Sequence, residues 1–289
     1  MTTKSALVRF GLSILAVAAL ASAPVAAAPA KPTKDAALAA AVSRATRPAL
    51  DVARDGARHP LESLTFWGLK PGQTVLEIMP GGGYWTEILA PYAKATGGRY
   101  MVGLADISSP TVSDAARKGR EDFLAKYADT TLYGTVEPTN FGPTSGPFAP
   151  AGTVDLFLTT RNIHNLLWSP GRLDKTFNDA FAVLKPGGIL AIEEHRSDPR
   201  PMAPEARDGY MSEAAVIDAA KKAGFVLDAR SDVNANPKDT KDHPFGVWTL
   251  PPSRRSAPAG QPANPAFDRL KYEAIGESDR MTLRFRKPR

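Results

Sequence analysis

Residues 75–87 read VLEIMPGGGYWTE. Val75, Leu76 and Ile78 around Glu77 have the composition of a buried strand, which breaks at Pro80. Gly81, Gly82 and Gly83 follow, and then Trp85, Ile88, Leu89 and Tyr92 fall at the spacing of one helix face. A strand, a glycine turn and a helix start make a place where backbone N–H groups point at the negatively charged part of a ligand.

The ligand class narrows by spacing. A dinucleotide fingerprint needs a third glycine where this chain has Thr86, which weakens that reading. No Lys-Ser/Thr pair follows the glycines, so a P-loop is excluded. What remains resembles motif I of the class I S-adenosylmethionine-dependent methyltransferases. The resemblance makes Glu77 the acidic position and Gly81, Gly82 and Gly83 the cofactor-binding turn. Met79 stands where that family has its first glycine, and Pro80 after it disfavours the right-handed helical region. The expectation is that the strand runs one residue further and Pro80 makes the bend. A glycine-rich turn that binds nothing is the bland alternative.

Outward from this stretch, strand and helix patterns alternate. Strands are predicted at 73–79, 99–104, 131–136, 154–159, 188–194 and 225–230, and helices at 84–95, 112–127, 172–184 and 212–223. Leu283 and Phe285 alternate with Arg284 and Arg286 in a last strand. The fold class is therefore α/β: a doubly wound, Rossmann-like sheet of seven mostly parallel strands. The turn Leu-Lys-Pro-Gly occurs at 69–72 and again at 184–187, each time before a buried strand. The second copy, with Gly188, resembles the turn before the fifth strand of the same methyltransferases.

Residues 1–28 read as a secretory signal peptide, with Lys4 and Arg9 before an apolar run and Ala26, Ala27 and Ala28 at its end. The run is shorter than the roughly 20 residues of a membrane span. Residues 29–60 form a linker and an N-terminal helical extension, and 61–289 the methyltransferase-like domain. Within it, 232–279 is a long insertion before the last strand, rich in Pro, Asn, Asp and Arg. Its apolar island at 245–250 reads either as a lid over a pocket or as a floppy insertion. The chain has no cysteine, which excludes disulfides, thiolate metal sites and cysteine nucleophiles. The formal charge of +6 is mild, and the basic cluster at Arg280, Arg284, Arg286, Lys287 and Arg289 reads as a solvated edge rather than a nucleic-acid site.

In such sheets ligands bind at the carboxyl ends of the strands. The resemblance places Asp106 at the ribose of S-adenosylmethionine, although an Asp there also suits a turn cap. It places Asn140 near the adenine, with Glu137 and Phe141 beside it. The fourth strand leads into Arg161, Asn162 and His164, and the fifth ends in Glu194 and His195. Asn162 is assigned to the cofactor. His164, Glu194 and His195 are the catalytic candidates, because neutral imidazole can accept a proton near neutral pH; capping roles for both histidines are the alternative. No standard metal-ligand spacing is present, with or without His243.

These readings imply an exported, periplasmic or secreted S-adenosylmethionine-dependent methyltransferase acting on a small-molecule or envelope acceptor. Its motifs resemble those of exported methyltransferases of bacterial envelopes. The alternative is an exported ligand-binding protein of the same fold without transfer chemistry. Supply of a cytoplasmic cofactor to an exported chain is the conflict within the first reading.

Overall fold

Every residue of Thr74–Ile78 is buried, as a strand covered by helices on both faces requires. In the computed structural model, which describes residues 1–2 and 35–289, this strand (β1) is central to a seven-stranded sheet. The other strands are β2 (Arg99–Ala105), β3 (Val136–Phe141), β4 (Val154–Thr160), β5 (Leu184–His195), β6 (Val226–Ser231) and β7 (Arg280–Arg286). Their order is β3-β2-β1-β4-β5-β7-β6, parallel except for β7, which runs antiparallel between β5 and β6. This is the mostly parallel, Rossmann-like methyltransferase sheet that the sequence predicts.

The helices are α1 (Ala36–Val42), α2 (Ala49–Val52), α3 (Asp55–Arg58), α4 (Pro60–Trp67), α5 (Thr86–Thr96), α6 (Asp114–Lys126), α7 (Thr130–Tyr133), α8 (Ile163–Leu166), α9 (Arg172–Val183), α10 (Glu213–Lys222) and α11 (Leu270–Ile275). Alternation along the strands feeds two cores. Leu76, Ile78, Phe157, Leu190 and Ile192 pack on one face with Phe177 and Phe285. Val75, Leu156, Leu158 and Ala191 pack on the other with Trp85 and Ile88. Full burial of one such side chain contributes roughly 1.5–3 kcal/mol, more than the ~1 kcal/mol of a helix cap. Packing thus fixes where the helices lie, while Ser113 and Ser212, bonded to the amides of Ala116 and Ala215, fix where α6 and α10 start.

Several expectations are corrected. Helix α5 is buried all round from Thr86 to Ala93, because α1 covers its outer face and Arg44 pairs with Glu87 at 2.8 Å. The strand expected at 131–136 is instead α7 followed by β3. Asp129 caps Thr131, Gly134 turns at φ 66°, and the strand begins at Val136. Pro138 is tolerated there because β3 is an edge strand. The basic C-terminal strand is no solvated edge: Arg280 is buried, and Arg284 and Arg286 both pair with Asp228 of β6. Met79 is not extended either. It lies beyond β1 with φ 52°, and the rule for a residue before proline bars the right-handed region rather than this one.

The insertion is folded against the domain. Asn234 donates to Ser63 and Thr282, each at 3.0 Å, and the amide of Val247 donates to the Asp208 carbonyl. Among the described residues no helix is long and apolar enough to cross a membrane. The signal-peptide reading falls, from residue 3 onward, outside the described residues.

Candidate functional site

The strand order reverses between β1 and β4, and in open α/β sheets a crevice forms at that point. Here it holds two cavities, of about 600 and 310 Å³, that share Met79, Pro80, Gly81 and Asn162. The glycine turn is the partition between them.

The turn needs its glycines for two different reasons. Gly81 and Gly83 both have positive φ, at 57° and 89°. A Cβ on Gly83 would stand 1.8 Å from the Tyr127 hydroxyl, which donates to the Gly83 carbonyl at 3.2 Å. A Cβ on Gly81 or Gly82 would meet nothing within 4 Å, so these two face open space. The Gly83 amide bonds back to Pro80, whereas no acceptor among the described residues claims the amides of Gly81 and Gly82. Met79 is held in its left-handed conformation from both sides. Its amide donates to Gly103 and its carbonyl accepts from Asn162 Nδ2 at 3.0 Å. Such a conformation costs about 1–2 kcal/mol for a residue with a side chain, and these two bonds hold it in place.

Glu77 lies directly below the turn and lines neither cavity. The strand's alternation turns it toward α5, where Tyr100 Oη donates to it at 2.5 Å and Thr86 Oγ1 at 3.3 Å. Burial pushes its carboxyl up to about 7, against the lowering effect of those two hydroxyls and of Arg161. Its place is that of a buried support under the turn.

The larger cavity is walled by the ends of β2 and β3 and by α6. Asp106, buried at the end of β2, lines it, and its Oδ1 accepts from the amide and hydroxyl of Ser108 at 3.0 and 2.6 Å. Asp106 thus caps the turn and also lines the cavity. Asn140 does not line the cavity; its Oδ1 accepts from Arg120 at 3.1 Å, and Phe141 and Gly142 form the wall instead. The guanidinium of Arg172 lies 4.6 Å from the centre of the Phe141 ring.

The smaller cavity brings His164, Asn162 and His195 together, with Glu194 behind them. Glu194 is fully buried and accepts from the amides of Ile163, His164 and His195 and from His164 Nδ1 at 3.0 Å. In the neutral imidazole, a carboxylate that only accepts puts the hydrogen on Nδ1, and Nε2 of His164 is then the acceptor nitrogen. The His195 ring is 5.4 Å from that of His164, and its Nδ1 lies 2.6 Å from Ser278 Oγ. Burial, together with His164, Arg161 and Arg280, holds His195 well below its ordinary value, so it is neutral. Trp248 of the insertion and Trp168 pack edge-on against His164 at 5.8 and 5.9 Å, and Trp248 lines the cavity.

Potential ligand atoms of His164, Glu194 and His195 lie within 4.8 Å of one another. Both oxygens of Glu194 are already taken by N–H donors, which leaves an imidazole pair rather than a three-ligand set. His243 is not part of it; its Nε2 lies 2.7 Å from Asp239 in the insertion.

Sequence reading missed a set of buried charges on this cavity. Arg54, Arg58 and Arg161 line it with Glu277. Arg58 is fully buried, stacks 4.5 Å from the Tyr84 ring centre and donates Nε to Glu277 at 3.0 Å. Behind them Arg280 Nε lies 3.1 Å from buried Glu193, whose carboxyl is raised by burial against the pull of Arg280 and Arg161. Arg161 carried a signal, adjacency to Asn162 and His164; Arg58 carried none.

No protein-family model matches the chain. In sequence it is similar to a ubiquinone/menaquinone biosynthesis C-methyltransferase of Hydrogenovibrio crunogenus, 29% identical over 153 residues, 53% of each chain. An uncharacterized methyltransferase of a Synechocystis strain is 34% identical over 140 residues, covering 47% of this chain and 53% of the relative. The chain thus spans about half the length of the curated relatives it matches. A solved SAM-dependent methyltransferase from Aquifex aeolicus superposes with TM-score 0.46 at 25% identity, over 63% of this chain and 87% of that one. Another, from Methanosarcina mazei, gives 0.47 at 15% identity over 78% and 97%. The sheet order, with its antiparallel β7, is the Rossmann-like fold of the class I methyltransferases, and methyltransferases are what this chain is similar to in sequence.

Proposed function

We propose that the chain is an exported S-adenosylmethionine-dependent methyltransferase acting on a small-molecule or envelope acceptor. The observation that carries this reading is the pair of unclaimed amides at Gly81 and Gly82, set where two cavities meet. The residues present fit the cofactor. Asp106, Phe141 and Gly142 would hold its nucleoside in the larger cavity, and the turn its amino-acid end. When bound, S-adenosylmethionine supplies an electrophilic methyl group on a sulfonium whose other product is a neutral thioether.

The chain's own residues supply alignment and a proton acceptor. Alignment of donor and acceptor can account for roughly 7–11 kcal/mol of a barrier. Nε2 of His164, oriented through Nδ1 by Glu194, takes the proton of an O–H or N–H nucleophile. Trp248, packed on the ring and lining the cavity, covers one side of the imidazole. Export rests on the signal-like residues 1–28, and delivery to the periplasm or beyond follows from it. The experiment is transfer of labelled methyl from S-adenosylmethionine to envelope extract by the signal-free chain. His164→Ala is expected to lower turnover by about 10²–10⁴-fold; unchanged turnover in both His164→Ala and His195→Ala removes the catalytic assignment.

A further inference from the structure

We infer that Arg58 and Arg161 form a carboxylate subsite for the acceptor in the smaller cavity; the word acceptor here rests on the methyl-transfer reading above. Arg58 is fully buried and spends only Nε on Glu277, leaving Nη1 and Nη2 buried without an acceptor. The Nε of Arg161, on the same cavity, is likewise buried and unpartnered. Burial of guanidinium N–H groups without acceptors is costly unless an anion arrives to pair with them.

Glu277 is not free to supply that anion. It already accepts from Arg54, Arg58 and Arg280. Burial alone would raise its carboxyl, but Arg280, Arg161 and Arg54 outweigh that and hold it below its ordinary value, so it is ionised. Its charge beside the open guanidinium nitrogens selects a singly charged, planar carboxylate over a phosphate dianion. Trp248 and the His164 ring line the same cavity as the two guanidinium groups.

The position of the subsite favours the acceptor over the amino-acid end of the cofactor. Arg161 stands three residues before His164 in the same turn, and its charge acts on His195. Ser278, next to Glu277, is the partner of His195 Nδ1. The anion would therefore lie beside the imidazole pair.

The test is calorimetry with benzoate on the signal-free chain, with no nucleoside present, and separately with S-adenosylhomocysteine. Benzoate is expected to bind saturably and to lose at least tenfold in affinity in Arg161→Gln and in Arg58→Lys, which keeps a charge beside Glu277. Affinity for S-adenosylhomocysteine should stay within twofold in both, and melting curves should show both folded. No saturable benzoate binding, or equal binding in the variants, overturns the subsite. Loss of S-adenosylhomocysteine affinity with benzoate unaffected assigns the guanidinium groups to the cofactor and overturns the acceptor role. If only the nucleoside fails to bind the unaltered chain, the methyltransferase reading falls while the subsite stands.

Discussion

The two cavities that meet at the glycine turn are built in different ways. The larger is walled mostly by residues 103–143, the ends of β2 and β3 and the helix between them. The smaller draws on segments far apart in the chain: α3, the turn, the end of β4, His195, and residues 247–253 and 277–278 of the insertion. The sheet and α6 supply most of the first. The second exists only because an N-terminal extension and a late insertion fold over the same strand ends. On the reading proposed here, the sheet holds the nucleoside, and the segments folded over its strand ends choose the acceptor.

If the turn is the partition, damage to it should strike both halves. Gly83→Ala drives a methyl into Tyr127 at a positive φ and should lower stability by about 2–4 kcal/mol, read from denaturant midpoints. Gly82→Ala meets no neighbour within 4 Å and should shift stability by less than about 1 kcal/mol while weakening nucleoside binding. Equal destabilisation by the two would break the distinction between packing and ligand-facing glycines.

Beneath the partition, Glu77 makes a pH-dependent prediction. Its carboxyl ordinarily loses its proton near 4.5 but in the folded chain near 7. Between those values the folded state holds a proton that the unfolded chain has released, so stability falls as pH rises through the window. Glu77→Gln should therefore gain on the unaltered chain by about 3 kcal/mol between pH 4 and pH 8, measured by urea unfolding at each pH. His195 works in the opposite sense. Held well below 6.5, it contributes a loss of stability as pH falls beneath that value.

The smallest effects should separate the halves. Asp106→Ala should weaken S-adenosylhomocysteine binding about tenfold and leave the acceptor KM unchanged. Trp248→Ala should do the reverse, raising the acceptor KM about tenfold with nucleoside affinity intact. Parallel losses in both variants would merge the two cavities into one site.

How much of this was legible in the sequence follows the same division. The repeated Leu-Lys-Pro-Gly turns and apolar runs carried the sheet, because each strand's burial is written in neighbouring residues. The segment 131–136 was misread because its Thr, Leu, Tyr and Val residues look like a strand. The Asp129 cap and the turn at Gly134 decide otherwise. Met79 was misread because its conformation is imposed by Gly103 and Asn162, residues 24 and 83 positions away. Glu77 and Asn140 are assigned to the cofactor by resemblance; in the structure they line neither cavity, Glu77 accepting from Tyr100 and Asn140 from Arg120. Arg58 gives no local sign of burial; it is buried by Tyr84 and Glu277, brought to it by the tertiary fold.

The most direct measurement is calorimetric titration of the chain lacking residues 1–28 with S-adenosylhomocysteine, alongside Gly81→Val. Gly81 has φ 57° and borders both cavities, so a side chain there obstructs the place where the two amides face the ligand. The account predicts saturable one-to-one binding in the unaltered chain, lost in a variant that still melts cooperatively. Absence of binding in the unaltered chain, or the same affinity in Gly81→Val, contradicts it.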